Sequence, residues 1–140
     1  MKDDFLLENY RTIDFPTTQN RNIVYALFFD VNGREICFYA GQSSRHIGRF
    51  GDYLSCQFTA PTDFRVGEAI KYLQEKRFVV RAKYREVIDP EAQERELIRQ
   101  LSQTFKLLNH LPAYDYRRST AEVEKAKVRR FIDEVLSQYT

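Results

Sequence analysis

Glu94 is the residue whose position most directly suggests chemistry. It precedes Leu97 and Leu101 by three and seven residues, so on a helix it lies on the same face as an apolar stripe. A carboxylate on an inner face is costly unless a cation or hydrogen-bond donors compensate it, which predicts an arginine or a divalent metal ion close by. The alternative is a first-turn glutamate that reaches solvent, where its charge favours the helix dipole.

Two tyrosines and an Arg-Tyr pair supply further reactive groups. Tyr25 and Tyr39 lie on the two predicted strands of one hairpin, where both phenols reach the same face if the strand register allows it. Arg49 and Tyr53 are four residues apart on a predicted helix, which places a guanidinium beside a phenol. Each pattern taken alone is more typical of ordinary packing, so only the combination points to a site.

The strands that hold these groups can be predicted from hydrophobic patterning. Residues 23–29 and 35–40 are rich in β-branched and aromatic residues, and the Asn32-Gly33 pair between them predicts a β-hairpin. Residues 78–84 alternate between two faces, which predicts a third strand that is polar on one face: Phe78, Val80, Ala82 and Tyr84 lie on one side, and Val79, Arg81 and Lys83 on the other. We expect an α/β fold of the α+β type, in which a small three-stranded antiparallel sheet is flanked by helices.

Helices are predicted on both sides of the third strand. Their predicted starts, in chain order, are Ser43 or Ser44, Asp63, Asp89 and Ser119. The helix from Asp89 continues to about Leu108. The last helix carries an apolar face that either covers the core or meets a partner subunit, formed by Val128, Phe131, Ile132 and Val135.

The order of these residues resembles the signature of the GIY-YIG endonucleases. The two half-motifs that name the family are similar to Ile23-Val24-Tyr25 and Tyr39-Ala40-Gly41. The remaining signature residues follow in the family's order as Arg49, Tyr53, Glu94 three residues before Leu97-Ile98, and Asn109. The spacing from Tyr39 to Tyr53 is especially similar to the nuclease domain of bacterial excision-repair enzymes, and the resemblance covers about residues 23–110.

The resemblance implies a divalent-metal-dependent DNA endonuclease that hydrolyses phosphodiester bonds. Glu94 would hold one Mg²⁺ or Mn²⁺ ion, and Arg49 would stabilise charge on the phosphate. Tyr25 would be the general base, with Tyr39 sharing that role or orienting the water. Tyr53 would contact the phosphate or Arg49, and Asn109 would brace the site. The expected substrate contacts are Gly41, Gln42, Arg45, His46, Arg81 and Lys83.

Two residues depart from the family pattern without removing a reacting group. Ile23 stands in place of the first glycine of the name motif, and Gln42 stands where some relatives have lysine. The hairpin is also somewhat long, with thirteen residues between Tyr25 and Tyr39. Any proton transfer or phosphate contact that the lysine gives in those relatives is therefore not expected here.

Composition bounds the class of protein. The chain has 140 residues and 43% hydrophobic residues, which is typical of one domain, with an extension at 1–20, a catalytic core at 23–110 and a C-terminal helix at 119–140. Its longest apolar run, residues 23–29, is too short to cross a membrane, and the acidic start does not resemble a secretion signal. We therefore expect a cytoplasmic protein, with Cys37 and Cys56 as reduced thiols.

Charge alone does not announce a nucleic-acid partner. The net charge is only +2, although residues 65–86 carry seven Lys or Arg against three Glu, which a polyanion could follow. A catalytically silent nucleic-acid-binding or protein-interaction module on the same fold is therefore the alternative, and a small regulatory domain is a third. We also expect that a homodimer, if it forms, uses the C-terminal helix.

Overall fold

A β-hairpin forms the centre of the fold. The computed structural model describes residues 11–13, 22–43, 61–112 and 120–139. The strands in this part of the chain are β1 (Arg11–Ile13), β2 (Ile23–Val31), β3 (Arg34–Ser43) and β4 (Val80–Glu86). The helices are α1 (Pro61–Glu75), α2 (Pro90–Leu101) and α3 (Ala121–Ser137), with a 3₁₀ turn at Leu108–His110 between the last two.

The sheet is antiparallel and contains the three predicted strands. Strands β2 and β3 join through Asn32 and Gly33, whose φ angles of 52° and 81° are the positive values that an Asn-Gly hairpin turn requires. Strand β4 pairs with the other side of β2. A fourth strand that the sequence did not predict, β1, adds to β4 and gives the order β1-β4-β2-β3. Three residues are too few for an alternation to be visible in the sequence.

The ends of two helices differ from the sequence prediction. Helix α1 begins at Pro61, so Asp63 lies in its first turn and is not its cap. At its other end, the Phe78 N–H donates to the Leu73 carbonyl, and Arg77 has a φ of 69°. Phe78, predicted as the first residue of the third strand, instead forms part of the C-terminal turn of α1. Strand β4 therefore begins at Val80, two residues later than predicted.

Helix α2 begins as predicted and ends early. Asp89 accepts a hydrogen bond from the Ala92 N–H at 3.3 Å, the expected cap. The helix stops at Leu101, well before the predicted end at Leu108. Directly after Leu101, the Ser102 hydroxyl donates back to the Arg99 carbonyl at 2.9 Å. Serine and threonine favour such side-chain bonds to the local backbone over helix continuation.

Helix α3 covers the core with the predicted apolar face. Its cap position is Thr120, which makes no side-chain capping bond. The predicted start, Ser119, lies outside the described residues. The four residues predicted for the apolar face are all buried. That face is therefore used within the chain, against α1. A dimer contact through this helix stays a prediction and would have to use its outer side, where Val123 is 57% exposed.

Both faces of the hairpin are buried. Every residue of β2 from Ile23 to Phe29 is at most 3% exposed, so the central strand is packed on both sides. Helix α2 contacts β2 and β3, and the 3₁₀ turn contacts β3. Among the described helices, none combines the length and the apolar character that crossing a membrane would need.

Candidate active site

Tyr25 and Tyr39 lie side by side on one face of the hairpin. Their ring centroids are 6.3 Å apart with an interplanar angle of 46°, a tilted pair in close contact. Tyr25 is fully buried and Tyr39 is 7% exposed. The two residues that open the family-like signature therefore form one unit in the fold.

A β-bulge brings the two phenols to the same face. Counting back from the turn, Phe28 pairs with Cys37, and an unbroken register would place Tyr39 opposite Ala26. Because side chains alternate along a strand, Tyr39 would then point to the face opposite Tyr25. The register instead shifts by one residue at Phe38, so Tyr39 pairs with Leu27 and shares the face of Tyr25.

The backbone at Gly41 lies directly beneath the phenol pair, where a side chain has little room. It pairs directly with Tyr25 across the two strands. A Cβ atom built at position 41 would lie 2.7 Å from the Tyr25 Oη and 3.0 Å from the Tyr39 Cε2. The first distance is too short for a carbon atom and the second is tighter than most carbon contacts, so a larger residue would require the Tyr25 ring to shift. The close approach of backbone to both rings explains why glycine follows the second tyrosine by two.

Asn109 fixes the outer edge of β3 between Tyr39 and Gly41. Its amide group donates to the Ala40 carbonyl at 2.8 Å and accepts from the Ala40 N–H at 3.0 Å. The side chain thus pairs with β3 as a neighbouring strand would. The sequence predicted that Asn109 braces the site, and the atoms that it holds belong to the backbone that carries the second phenol.

Tyr84 is a third phenol on this face that the sequence analysis did not single out. It lies on β4 directly opposite Tyr25 and is 7% exposed. The alternation along the predicted third strand already grouped Tyr84 with Val80 and Ala82 on the apolar side. The sequence therefore indicated the face of Tyr84 within its own strand. It did not indicate that this strand pairs with β2, which is what places Tyr84 opposite Tyr25.

Glu94 is carried by the helix that packs against the phenol strands. It is half-buried and lies one turn before Leu97 and two turns before Leu101, both of which are buried. Helix α2 contacts β2 and β3. Since Glu94 shares the helical face of the buried leucines, its carboxylate is on the side of α2 that faces the sheet rather than on the solvent side.

The other expected substrate contacts in the described region lie on the opposite face of the sheet. Lys83 pairs with Ala26 and Arg81 with Phe28, and both positions alternate with the face of Tyr25. Gln42, opposite Val24, also falls on that second face. These three residues therefore lie on the face of the sheet away from Tyr25 and Tyr39, and the fold does not bring them together with the phenol pair.

Arg81 and Lys83, two of the cations on that second face, are already paired. Arg81 lies 3.3 Å from Asp30, and Lys83 lies 3.1 Å from Glu35 with its ammonium group over the Phe28 ring. Arg65, which begins the basic stretch noted in the sequence, is buried and bonds Glu124 at 2.9 Å. The stretch is therefore not one continuous cationic surface, because neutralising partners from distant parts of the chain lie beside it.

Four predicted site residues lie outside the described residues, namely Arg45, His46, Arg49 and Tyr53. The predicted helix that carries them lies there too, apart from Ser43, which ends β3 and so does not cap it. Within the described ranges, no three His, Cys, Asp or Glu residues are grouped as metal ligands. The metal site expected from the sequence contains one carboxylate, so this finding does not bear on it.

Comparisons of the chain with protein-family models, with curated proteins and with solved structures found no match. The resemblance to GIY-YIG endonucleases therefore depends on the residues of the chain alone.

Proposed function

We propose that this protein is a divalent-metal-dependent endonuclease that hydrolyses phosphodiester bonds in DNA, on a GIY-YIG-like fold. The observation that carries the proposal is the phenol pair above Gly41. A bulge, a glycine with no room for a side chain and the Asn109 clamp all serve to hold Tyr25 and Tyr39 together. Stability alone does not need such an arrangement, since a regular hairpin would pack without it.

Phosphodiester hydrolysis needs a proton acceptor for the attacking water and positive charge around the phosphate. The exposed fractions favour Tyr39 for contact with water, because Tyr25 is fully buried whereas Tyr39 is 7% exposed. We therefore assign the general base to Tyr39 and the alignment of its ring to Tyr25, which reverses the preference drawn from the sequence. Arg49 and Tyr53 keep their predicted roles at the phosphate.

Glu94 fits the hard oxygen donor that Mg²⁺ and Mn²⁺ prefer, and its half-buried position leaves part of it accessible. An ion bound there would supply positive charge for the departing oxygen. Glu94 itself would hold the ion on the side of α2 that faces β2 and β3. Asn109 would act by positioning, through the backbone at Ala40, and would not contact the substrate.

The test is cleavage of supercoiled plasmid DNA in the presence of Mg²⁺. Glu94→Gln removes the charge of the proposed metal ligand and keeps its size, and we expect cleavage to fall by about 100-fold or more. Glu91→Gln is the matched control, because Glu91 is an exposed glutamate in the first turn of the same helix. Equal cleavage by native protein and Glu94→Gln would contradict the proposal.

The second candidate is a nucleic-acid-binding or interaction module that lacks turnover. The full burial of Tyr25 favours it, because a buried phenol can serve packing alone. This candidate predicts that native protein retains DNA in a binding assay and leaves plasmid intact with either metal. The plasmid experiment therefore separates the two functions.

A further inference from the structure

A cavity of about 300 Å³ lies between the 3₁₀ turn and α3. It is separate from the phenol pair, because none of its lining residues belongs to the sheet. Its apolar lining consists of Leu107, Leu111 and Phe131. This volume is at the lower end of the roughly 300–1,000 Å³ that small-molecule sites occupy, so the cavity fits a compact organic molecule rather than a folded partner.

The polar lining of the cavity is cationic. Lys106, Lys127 and Arg130 line it against one carboxylate, Glu134, which gives a formal charge of +2 with the histidine of the lining neutral. Lys106 lies 3.5 Å from Glu134, and Lys127 lies 2.9 Å from Glu124. Arg130 is exposed and makes no ion pair within the described part of the chain. A guanidinium with its donors available is well suited to a phosphate group.

We propose that this cavity binds a nucleoside monophosphate, either free or as the phosphorylated end of a strand. Arg130 would contact the phosphate, and the two lysines, each held in an ion pair, would add positive charge beside it. The apolar wall of Leu107, Leu111 and Phe131 would contact the base, since a flat ring buries more apolar area there than a sugar phosphate does. An inorganic anion would satisfy the charge and leave that wall in water.

The cavity shares the 3₁₀ turn with the hairpin clamp. Asn109 bonds Ala40 of β3, while its neighbour His110 lines the cavity. Occupation of the cavity therefore contacts the turn that holds the backbone between the two phenols. The inference does not depend on the proposed nuclease function, because the cavity and its charges are independent of Glu94 and the tyrosines.

The test measures ligand binding by amide chemical shifts in the native full chain. AMP, adenosine, inorganic phosphate and a 5′-phosphorylated dinucleotide are titrated separately, without metal. We expect AMP to shift His110, Leu111, Lys127 and Arg130 more than Tyr25 and Tyr39, and to bind at least about 10-fold more tightly than adenosine or phosphate. Tighter binding of the dinucleotide than of AMP would assign the site to a strand end, and the reverse to a free nucleotide.

Charge reversal at the rim provides the matched pair of variants. Arg130→Glu is expected to weaken AMP binding by about 10-fold or more, because it replaces a phosphate donor by a like charge. Lys125→Glu makes the same charge change on α3 outside the cavity lining and is expected to bind AMP as native protein does. Equal weakening by both variants, or binding of AMP no tighter than that of phosphate, would overturn the proposal.

The proposed nuclease site is a competing place for AMP to bind, and the position of the shifted residues in native protein and in Glu94→Gln separates the two. This variant is expected to bind AMP unchanged, and Arg130→Glu to cleave plasmid as native protein does. Shifts centred on Tyr25 and Tyr39 in either protein would overturn the cavity assignment. Binding of AMP in the cavity by a protein that cuts no DNA would support the cavity assignment and contradict the proposed nuclease function.

Discussion

Gly41 is the residue on which the spacing of the phenol pair depends most directly. In Gly41→Ala the added methyl group would lie within 3.0 Å of atoms in both tyrosine rings. We expect a loss of about 1–3 kcal/mol in unfolding free energy, because a buried pair has little room to yield. The proposed DNA cleavage should fall by about 100-fold, since small displacements of reacting groups have large effects on rate. Urea unfolding and the plasmid assay measure the two effects.

Gly33 supplies the control for that substitution. It has a φ of 81° and nothing within 4 Å of a built Cβ, so only its backbone conformation limits the residue type. Gly33→Asn should change stability by less than about 1 kcal/mol, because asparagine tolerates positive φ. It should cleave DNA as native protein does. Equal damage from both substitutions would show that the phenol contact at Gly41 is not the cause.

At the scale of elements, the bulge in β3 and the 3₁₀ turn work together. The bulge turns Tyr39 to the face of Tyr25, and Asn109 pairs with the backbone one residue further on. Asn109→Ala would leave the Ala40 N–H and carbonyl without their side-chain partner. We expect the unfolding free energy to fall by about 1–3 kcal/mol and the Ala40 amide to exchange hydrogen faster.

The exposed amide Gln103, in the turn after α2, is the control for Asn109. Gln103→Ala removes an amide of similar chemistry that does not contact β3 by any described hydrogen bond. It should leave the exchange rate at Ala40 unchanged. If Asn109→Ala also leaves that rate unchanged, the clamp does not fix the edge of β3.

How much could be predicted from sequence differs from one element to another. The hairpin was predictable because Asn32-Gly33 specifies its turn locally, and the Asp89 cap of α2 is equally local. The bulge at Phe38 was not, since a continuous alternation from the same turn places Tyr39 on the wrong face. The position of the bulge is set by packing across strands and does not produce a recognisable pattern in the neighbouring residues.

Site residues followed the same division between local and distant information. The phase of Glu94 with Leu97 and Leu101 could be derived from helical periodicity. The sheet face of Arg81 and its pairing with Asp30 depend on which strand lies beside β4, fifty-one residues away in the chain. Basic residues counted along the sequence therefore overstate the cationic surface.

At the scale of the whole molecule, a buried ion pair joins α1 to α3. Arg65 donates to Glu124, which is 3% exposed, and also to the carbonyls of Leu111 and Pro112 after the 3₁₀ turn. Burial alone would raise the pKa of Glu124, but hydrogen bonds from Lys127 and Arg65 outweigh it, and the pKa lies below its usual value. The charged form is therefore the one that the fold stabilises.

This shift gives stability a defined dependence on pH. A carboxyl group whose pKa is lower in the folded state contributes stability above its unfolded pKa and loses it as pH falls through the folded pKa. We expect the unfolding free energy to fall as pH drops below 4.5, the ordinary value for this group. Glu124→Gln should lower the unfolding free energy by on the order of 3 kcal/mol at neutral pH. The unfolding free energy of this variant should also change less with pH in the acid range.

Glu122, an acidic residue in the first turn of α3 that is exposed, is the control for Glu124. Glu122→Gln should lose less than about 1 kcal/mol and keep the native pH profile. Urea midpoints measured across the acid range make the comparison. A pH profile of Glu124→Gln that matches the native one would contradict the assignment of the acid sensitivity to this ion pair.

The central claim is that a metal ion held by Glu94 lies next to the phenol pair. Mn²⁺ broadens nearby proton resonances with a steep dependence on distance, so the tyrosine ring signals report its position directly. We predict that Mn²⁺ broadens Tyr25 and Tyr39, leaves Tyr139 beside Arg34 sharp, and loses this selectivity in Glu94→Gln. Sharp Tyr25 and Tyr39 signals in the presence of Mn²⁺, or the same broadening in Glu94→Gln, would contradict the account.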